Sequence, residues 1–159
     1  DHRDLHSFPT RRSSDLFKDR IAGCGGFINI TQNTHKVVFC GTFTAKGLRE
    51  EIRDGKLVIT HEGAVQKFID KVGQITFSAE YAHKHNQQVM FITERCVFVL
   101  TDKGLVLTEI APGVDLQKDI LDQMEFVPHI AENLKTMDER LFRDEPMGLA
   151  QDIFEQQAG

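Results

Sequence analysis

The sequence predicts an α/β fold in which a mixed sheet with β-hairpins is flanked by helices. Three observations lead there. Runs of β-branched, aromatic and apolar residues recur between positions 35 and 110, in lengths suited to strands. Asp54-Gly55 and Asp102-Lys103-Gly104 interrupt those runs with hairpin signals. Apolar residues then return at helical spacing at Leu116, Ile120 and Met124, and again at Ile130, Leu134, Met137 and Leu141.

Taken in order, residues 1–16 show neither a strand nor a helix period and differ in composition from the rest of the chain. They lack the apolar core of a signal peptide, and Asp1, Asp4 and Asp15 argue against a transit peptide. Residues 7–16 resemble translated sequencing-adapter DNA joined to a shortened reading frame, and a disordered natural arm is the alternative. The segment is set aside for fold reasoning.

Gly23-Cys24-Gly25-Gly26 comes next, ahead of an apolar-periodic run that starts at Phe27. Glycines remove the Cβ atoms that keep other molecules off the backbone and permit positive φ. A helix opening at Phe27 directs its first N–H groups and its dipole over those glycines, which suits a phosphate, a carboxylate or a reaction oxyanion. Ile28 occupies the position of a dinucleotide motif's third glycine, and no Gly-Lys-Ser/Thr follows for a P-loop.

The run at 35–44 is apolar on both alternations and reads as a central strand covered on both faces. Lys46, at its end, is a candidate for binding an anionic group. Asp54-Gly55 then closes a hairpin. Residues 65–77 fit helix and strand by turns, and the expectation there is a strand around Ile75. His83 and His85 stand two apart without a third ligand, so residues 80–85 read as a polar loop and no metal site is expected. Strands follow at 89–93, 96–100 and 105–110. Asp115 caps a helix that buries Leu116, Ile120 and Met124 against the sheet. A second helix carries Ile130, Leu134, Met137 and Leu141, and a short third one at 149–154 frays into the tail at 150–159.

The 159 residues are enough for one domain, and 40% hydrophobic with 27% charged residues is an ordinary globular composition. No apolar run is long enough to span a bilayer as a helix. A net charge of −5 with a pI near 5.8 provides no basic field for nucleic acid. Cys24, Cys40 and Cys96 are scattered and lack metal-ligand spacing, which reads as reduced thiols in a cytoplasmic protein.

Four segments, Gly23-Cys-Gly-Gly-Phe-Ile-Asn-Ile30, Ile92-Thr-Glu-Arg-Cys-Val-Phe98, Leu107-Thr-Glu-Ile-Ala-Pro-Gly-Val-Asp-Leu116 and Met137-Asp-Glu-Arg-Leu-Phe142, together resemble the C-terminal part of family I coenzyme A transferases. The propionate or short-chain acyl type, related to the 3-oxoacid CoA-transferases, is the nearest in pattern. The resemblance covers 17–149. It implies a CoA-transferase-like partial domain and a ping-pong transfer of CoA from an acyl-CoA to a carboxylate acceptor, with no metal or redox cofactor and coenzyme A as a substrate. By the same resemblance the Gly26 amide is an oxyanion donor, Gly23 and Gly25 admit the thioester, and Lys46 belongs to the CoA or acceptor environment.

The family's nucleophilic Glu-x-Gly has no match here. Glu132-Asn133 runs into Leu134 on a segment that reads as a helix, and Glu62-Gly63 lacks the spacer. The expectation is a fragment without its nucleophile and inactive alone, whose partners are the missing N-terminal part of the enzyme and, at full length, further copies in a homo-oligomer. A non-catalytic anion- or CoA-binding module is the alternative. A sugar-phosphate isomerase is the third reading, with the glycine turn on phosphate, but nothing upstream supplies its carboxylate and lysine.

Overall fold

A computed structural model describes residues 24–71 and 75–157, with side chains as far as residue 155. The readings placed on residues 1–16, Gly23 and Val72 lie outside them. The centre is a five-stranded mixed sheet. It is built from β1 (Lys36–Cys40), β6 (Gln88–Ile92), β7 (Cys96–Thr101), β8 (Gly104–Ile110) and β9 (His129–Thr136), side by side in that order. β6, β7 and β8 form an antiparallel meander, and β1 and β9 join its two sides in parallel. Two small ribbons stand beside it: β2 (Thr44–Ala45) with β5 (Val65–Gln66), and β3 (Arg49–Arg53) with β4 (Lys56–His61). In the second ribbon Asp54 at φ 51° and Gly55 at φ 73° provide the paired positive φ values that a two-residue hairpin turn needs.

The sheet's first face buries the main core. Val37, Phe39, Val89, Phe91, Phe98, Leu105 and Leu107 project there at alternate positions, and Phe43, Phe68, Phe77, Ile120 and Met124 pack over them. Ring contacts run through this core, from Phe39 against Phe91 at 5.0 Å to Phe68 against Phe98 at 5.1 Å. Helix α1 (Phe27–Gln32) lies on the same face, with Phe27 5.9 Å from Phe39. The second face is covered at the β7 side by Leu57, Met137 and Phe142, which pack with Val97 and Ala111; Met90 and Ile92 border this cluster and are only half-buried.

Most of the predicted elements are present, including the three strands at 88–110, their hairpin, and the Asp54-Gly55 ribbon. The Asp115 carboxylate accepts from the Lys118 amide at 2.8 Å, as a cap should. The helix it starts is short. A wide π-type turn over Leu116–Ile120 tightens into a 3₁₀ turn over Leu121–Gln123, which still buries Ile120 and Met124. The short helix near the end is α3 (Leu149–Gln157).

Four expectations are corrected. The Lys36–Cys40 run is an edge strand among the described residues, with Lys36, Val38 and Cys40 exposed. Ile75 is 56% exposed and belongs to no strand; among the described residues the pairing near it is a single bridge at Ser78. Residues 79–84 form helix α2 (Ala79–Lys84), where Ser78 Oγ accepts from the Tyr81 amide and Ala82 is buried, so the polar-loop reading fails there. Ile130 and Leu134 stand on β9 and not on a helix. Positions i and i+4 share a face in a strand as well as in a helix, so that spacing could not separate the two. Leu134 packs on the main core and Met137 on the opposite side, the alternation of an extended chain.

Candidate functional site

The glycine turn opens α1 as its sequence suggests. The Phe27 amide donates to the Cys24 carbonyl at 3.1 Å, and the Ile30 amide to the Gly26 carbonyl at 2.9 Å. Gly25 sits at φ 54°, a conformation that L side chains adopt at a cost. Gly26 differs. Its φ of −79° suits any residue, and a Cβ there would meet only Ile30 Cδ1 at 3.6 Å. The backbone therefore favours glycine at 25 and not at 26, where the missing side chain leaves the first turn open.

The other end of α1 is tied down by Gln87 Nε2, which donates to the carbonyls of Thr31 at 2.7 Å and Thr34 at 2.6 Å, just before β6 begins. α1 therefore runs antiparallel to β1, which brings the glycine turn to the carboxyl end of the parallel pair β1–β6. That end of a parallel α/β sheet is where ligands generally bind.

Lys46 is carried by a separate element, the turn that follows β2. It adopts φ 61° beside Gly47 at φ 91°, and its carbonyl accepts from the Ala64 amide at 3.0 Å. A lysine that the sequence pattern does not single out, Lys67, lies near the carboxyl end of β1, where Nζ donates to the Thr42 carbonyl and hydroxyl, each at 2.7 Å. Burial pulls its ammonium down from the usual lysine range, and the Glu94 charge offsets part of that.

The densest polar cluster is built around Arg95, whose side chain is 0% exposed. It follows β6, where a polar Thr93-Glu94-Arg95 turn joins two apolar strands. Its guanidinium grips both oxygens of Glu62, at 2.7 and 2.8 Å. Nε donates to Glu94 at 2.9 Å, Nη1 also to the Asp119 carbonyl at 2.9 Å, and the group lies 5.0 Å over the Phe43 ring. Thr44 Oγ1 donates to Glu62, and the Gly63 amide reaches the same carboxylate at 2.9 Å. Glu94 holds the Phe43 amide at 2.8 Å with its other oxygen.

One cation thus joins four separate stretches of chain. Burial alone would raise the Glu62 carboxyl, but the hydrogen bonds from Arg95, Thr44 and Gly63 outweigh it and hold it at about 2. Burial raises the carboxyl of the nearby Glu50, and the charge of Glu94 adds to that. Burial pushes the Cys96 thiol up to about 12. The readable signal for this cluster was the Glu-Arg pair inside an apolar run, since a buried charge demands partners.

These contacts decide what Glu62 can do chemically. A carboxylate fixed by a guanidinium at both oxygens is a weak nucleophile and a strong brace. Glu132 lies exposed on β9. Among the described residues no group of three His, Cys, Asp or Glu is placed to hold a metal ion. A cleft of about 880 Å³ between the β3–β4 ribbon and residues 139–146 has Ile52, Lys56, Pro112, Phe142 and Arg143 in its walls and includes none of the predicted site residues. No helix among the described residues is long and apolar enough to cross a membrane.

No family model matches the chain. It is 56% identical over 132 residues to the acetate CoA-transferase YdiF of Escherichia coli K12, covering 83% of this chain and 25% of that protein. It is 54% identical over 131 residues to the caffeate CoA-transferase of Acetobacterium woodii, covering 82% of this chain and 25% of that one. Among solved structures it matches the acyl-CoA transferase YdiF of E. coli O157:H7, captured as a thioester complex with CoA. The TM-score is 0.80 at 56% identity, over 83% of this chain and 26% of the other. The fold is therefore the α/β fold of a CoA-transferase, and the chain spans about a quarter of the length of the curated relatives it matches.

Proposed function

We propose that this chain is the C-terminal portion of a CoA-transferase that moves CoA from a short-chain acyl-CoA, propionyl-CoA foremost, to a carboxylate acceptor. The observation that carries the reading is 56% identity over 132 residues to an acetate CoA-transferase. In this reading a glutamate outside the chain attacks the thioester carbonyl and expels CoA thiolate, forming an acyl-glutamyl anhydride. The thiolate then attacks the glutamyl carbonyl, releasing the donor's carboxylate and leaving a glutamyl-CoA thioester. The acceptor carboxylate repeats the two steps in reverse and departs as the new acyl-CoA.

Each step passes through a tetrahedral oxyanion. This chain's part is to stabilise it with the Gly26 amide, a contribution of about 3 kcal/mol where such a donor is pre-aimed. Gly25 sets the turn, Gly23 and Gly25 leave room for the thioester, and Lys46 faces the CoA or acceptor carboxylate. No metal or redox cofactor takes part, because the carboxylate nucleophile and the thioester supply the chemistry between them. The complete enzyme is a cytoplasmic homo-oligomer in this reading. Glu62 does not replace the missing nucleophile, because Arg95 occupies both its oxygens.

The test has two arms. The purified 159-residue chain, offered an acyl-CoA and labelled acetate, is expected to exchange no CoA. Residues 17–149 spliced in place of the matched quarter of YdiF are expected to give an active transferase. A soluble, folded but inactive chimera would refute the transferase reading, and exchange by the chain alone would refute the absence of a nucleophile.

A further inference from the structure

We infer that the Ile30 side chain is one wall of the acyl pocket, the surface against which the hydrocarbon chain of the acyl-CoA lies while its thioester carbonyl reacts. The inference rests on the transferase reading and deepens it, by naming the residue through which this chain takes part in choosing the acyl group.

The space beside Gly26 carries the argument. Gly26 is exposed and its φ of −79° is open to any residue, so neither the turn nor the core accounts for the missing side chain. A Cβ built there would lie 3.6 Å from Ile30 Cδ1, and apart from the adjoining residues no other described heavy atom comes within 4 Å. Whatever enters that space meets Ile30 first.

The helix explains why Ile30 is placed there. Residues four apart in a helix share a face, and a long side chain leans back over the turn that precedes it. The Ile30 amide donates to the Gly26 carbonyl at 2.9 Å, which sets the two residues one turn apart, and the Thr34 hydroxyl donates to the Ile30 carbonyl at 3.1 Å. Both backbone groups of Ile30 are thus engaged, and its aliphatic side chain is what it has to offer. The core does not use that side chain: Phe27 packs on the core and Thr31 is buried, whereas Ile30 is 65% exposed. Gln87 holds the far end of α1 through Thr31 and Thr34, so the bearing of Ile30 over the glycine turn is fixed.

Chemistry selects the occupant. A thioester carbonyl has two substituents, the acyl chain and the CoA sulfur, and an oxyanion held by the Gly26 amide brings both close to the first turn of α1. The sulfur leads into the polar amides of the CoA arm. A short acyl chain is hydrocarbon, and apolar surface is what favours its binding, in proportion to the area covered. The bare aliphatic side chain at the rim of the space meets that need. One methylene more or less in an apolar pocket changes kcat/KM by about tenfold or more, so a wall one side chain thick is enough to sort acyl lengths.

The experiment uses the YdiF chimera that carries residues 17–149, as wild type, Ile30→Val, Ile30→Ala and Ile30→Phe. Acetyl-, propionyl-, butyryl- and hexanoyl-CoA are the donors and labelled acetate is the acceptor. In a ping-pong reaction kcat/KM for the donor reports its half-reaction alone. Circular dichroism and gel filtration confirm that each form is folded and assembled like the wild-type chimera. The hexanoyl-to-acetyl ratio of kcat/KM should rise by about tenfold for alanine and about threefold for valine, and fall by about tenfold for phenylalanine. The valine form removes only the Cδ1 carbon that borders the space, and it carries the test if the alanine form does not assemble. If all the donors lose the same factor, Ile30 touches the CoA arm or the rest of the enzyme, and the inference falls while the transferase reading stands. Unchanged ratios and rates overturn it as well. A folded wild-type chimera that turns over none of the donors refutes the transferase reading itself, and the inference with it.

Discussion

Replacing Arg95 by methionine removes the guanidinium at the centre of the polar cluster and keeps most of its volume. The carboxylates of Glu62 and Glu94 then lose the cation that stands between them, and the Thr44 hydroxyl loses its charged neighbour. Breaking a fully buried pair costs about 3–5 kcal/mol. Here Glu62 keeps 31% exposure and water can take over part of its solvation, which places the loss near the low end, at about 3 kcal/mol. Glu62→Gln preserves shape and an acceptor for Gly63 while losing the charge, and should cost about 2 kcal/mol.

The same pair gives stability a pH dependence of known sign. The folded Glu62 carboxyl lies at about 2, below its ordinary value of 4.5. Its contribution is therefore complete above about pH 4.5 and is lost as the pH falls through about 2. A shift of that size corresponds to about 3.4 kcal/mol, which the partial exposure reduces to about 2. Urea unfolding followed by far-ultraviolet circular dichroism is the assay, at neutral pH and at steps between about pH 5 and 2. Wild type should lose midpoint through that window. Arg95→Met should begin lower by roughly 1 M urea or more and show a flatter acid limb. A loss under about 1 kcal/mol, or an unchanged acid slope, would refute the account of Arg95 as the clamp.

Other consequences are quick to measure. Gly25→Ala should destabilise by about 1–2 kcal/mol because its φ of 54° is strained for a side chain. Gly26→Ala should leave the unfolding midpoint unchanged within about 0.5 kcal/mol, yet lower turnover of the YdiF chimera by about tenfold or more by crowding the site; equal turnover would remove Gly26 from the mechanism. Gly63→Ala should cost at least about 2 kcal/mol, since its Cβ would lie 2.5 Å from both the Ala45 carbonyl and Thr44 Oγ1, and a neutral result in the unfolding assay would contradict that crowding. At about pH 8 a thiol reagent should modify Cys24 and Cys40 quickly and Cys96 only when the chain unfolds; mass spectrometry showing early Cys96 modification would contradict its burial.

The strands of the meander were legible because each is a run of β-branched and aromatic residues bounded by turn residues, which is local information. The glycine turn was legible for the same reason. β9 was not, because Ile130 and Leu134 satisfy helix and strand equally and only pairing with β8 decides between them. The edge position of β1 was hidden as well, since its composition is that of an interior strand. α2 was missed because a six-residue helix with one buried residue has almost no periodicity, although Ser78 carried a cap signal. In the site, Gly25 and Gly26 could be put forward as candidates because the features that single them out sit in adjacent residues. Arg95 could not, because its partners come from Thr44, Glu62 and Asp119, and nothing in the spacing of those residues announces that they meet.

The order of strands in the sheet also sets an order in time. β6, β7 and β8 are joined by short turns, so their pairing closes small loops and costs little chain entropy. β1 must wait for β6, about fifty residues further along the chain. The meander is therefore expected to nucleate folding, with β1 added late, so that truncating Phe98 should slow refolding while truncating Val37 should mainly speed unfolding. The opposite pattern in refolding kinetics would exclude this order. The strand whose carboxyl end lies beside the glycine turn is then the last to settle, and in a growing chain it is made before the partner it needs.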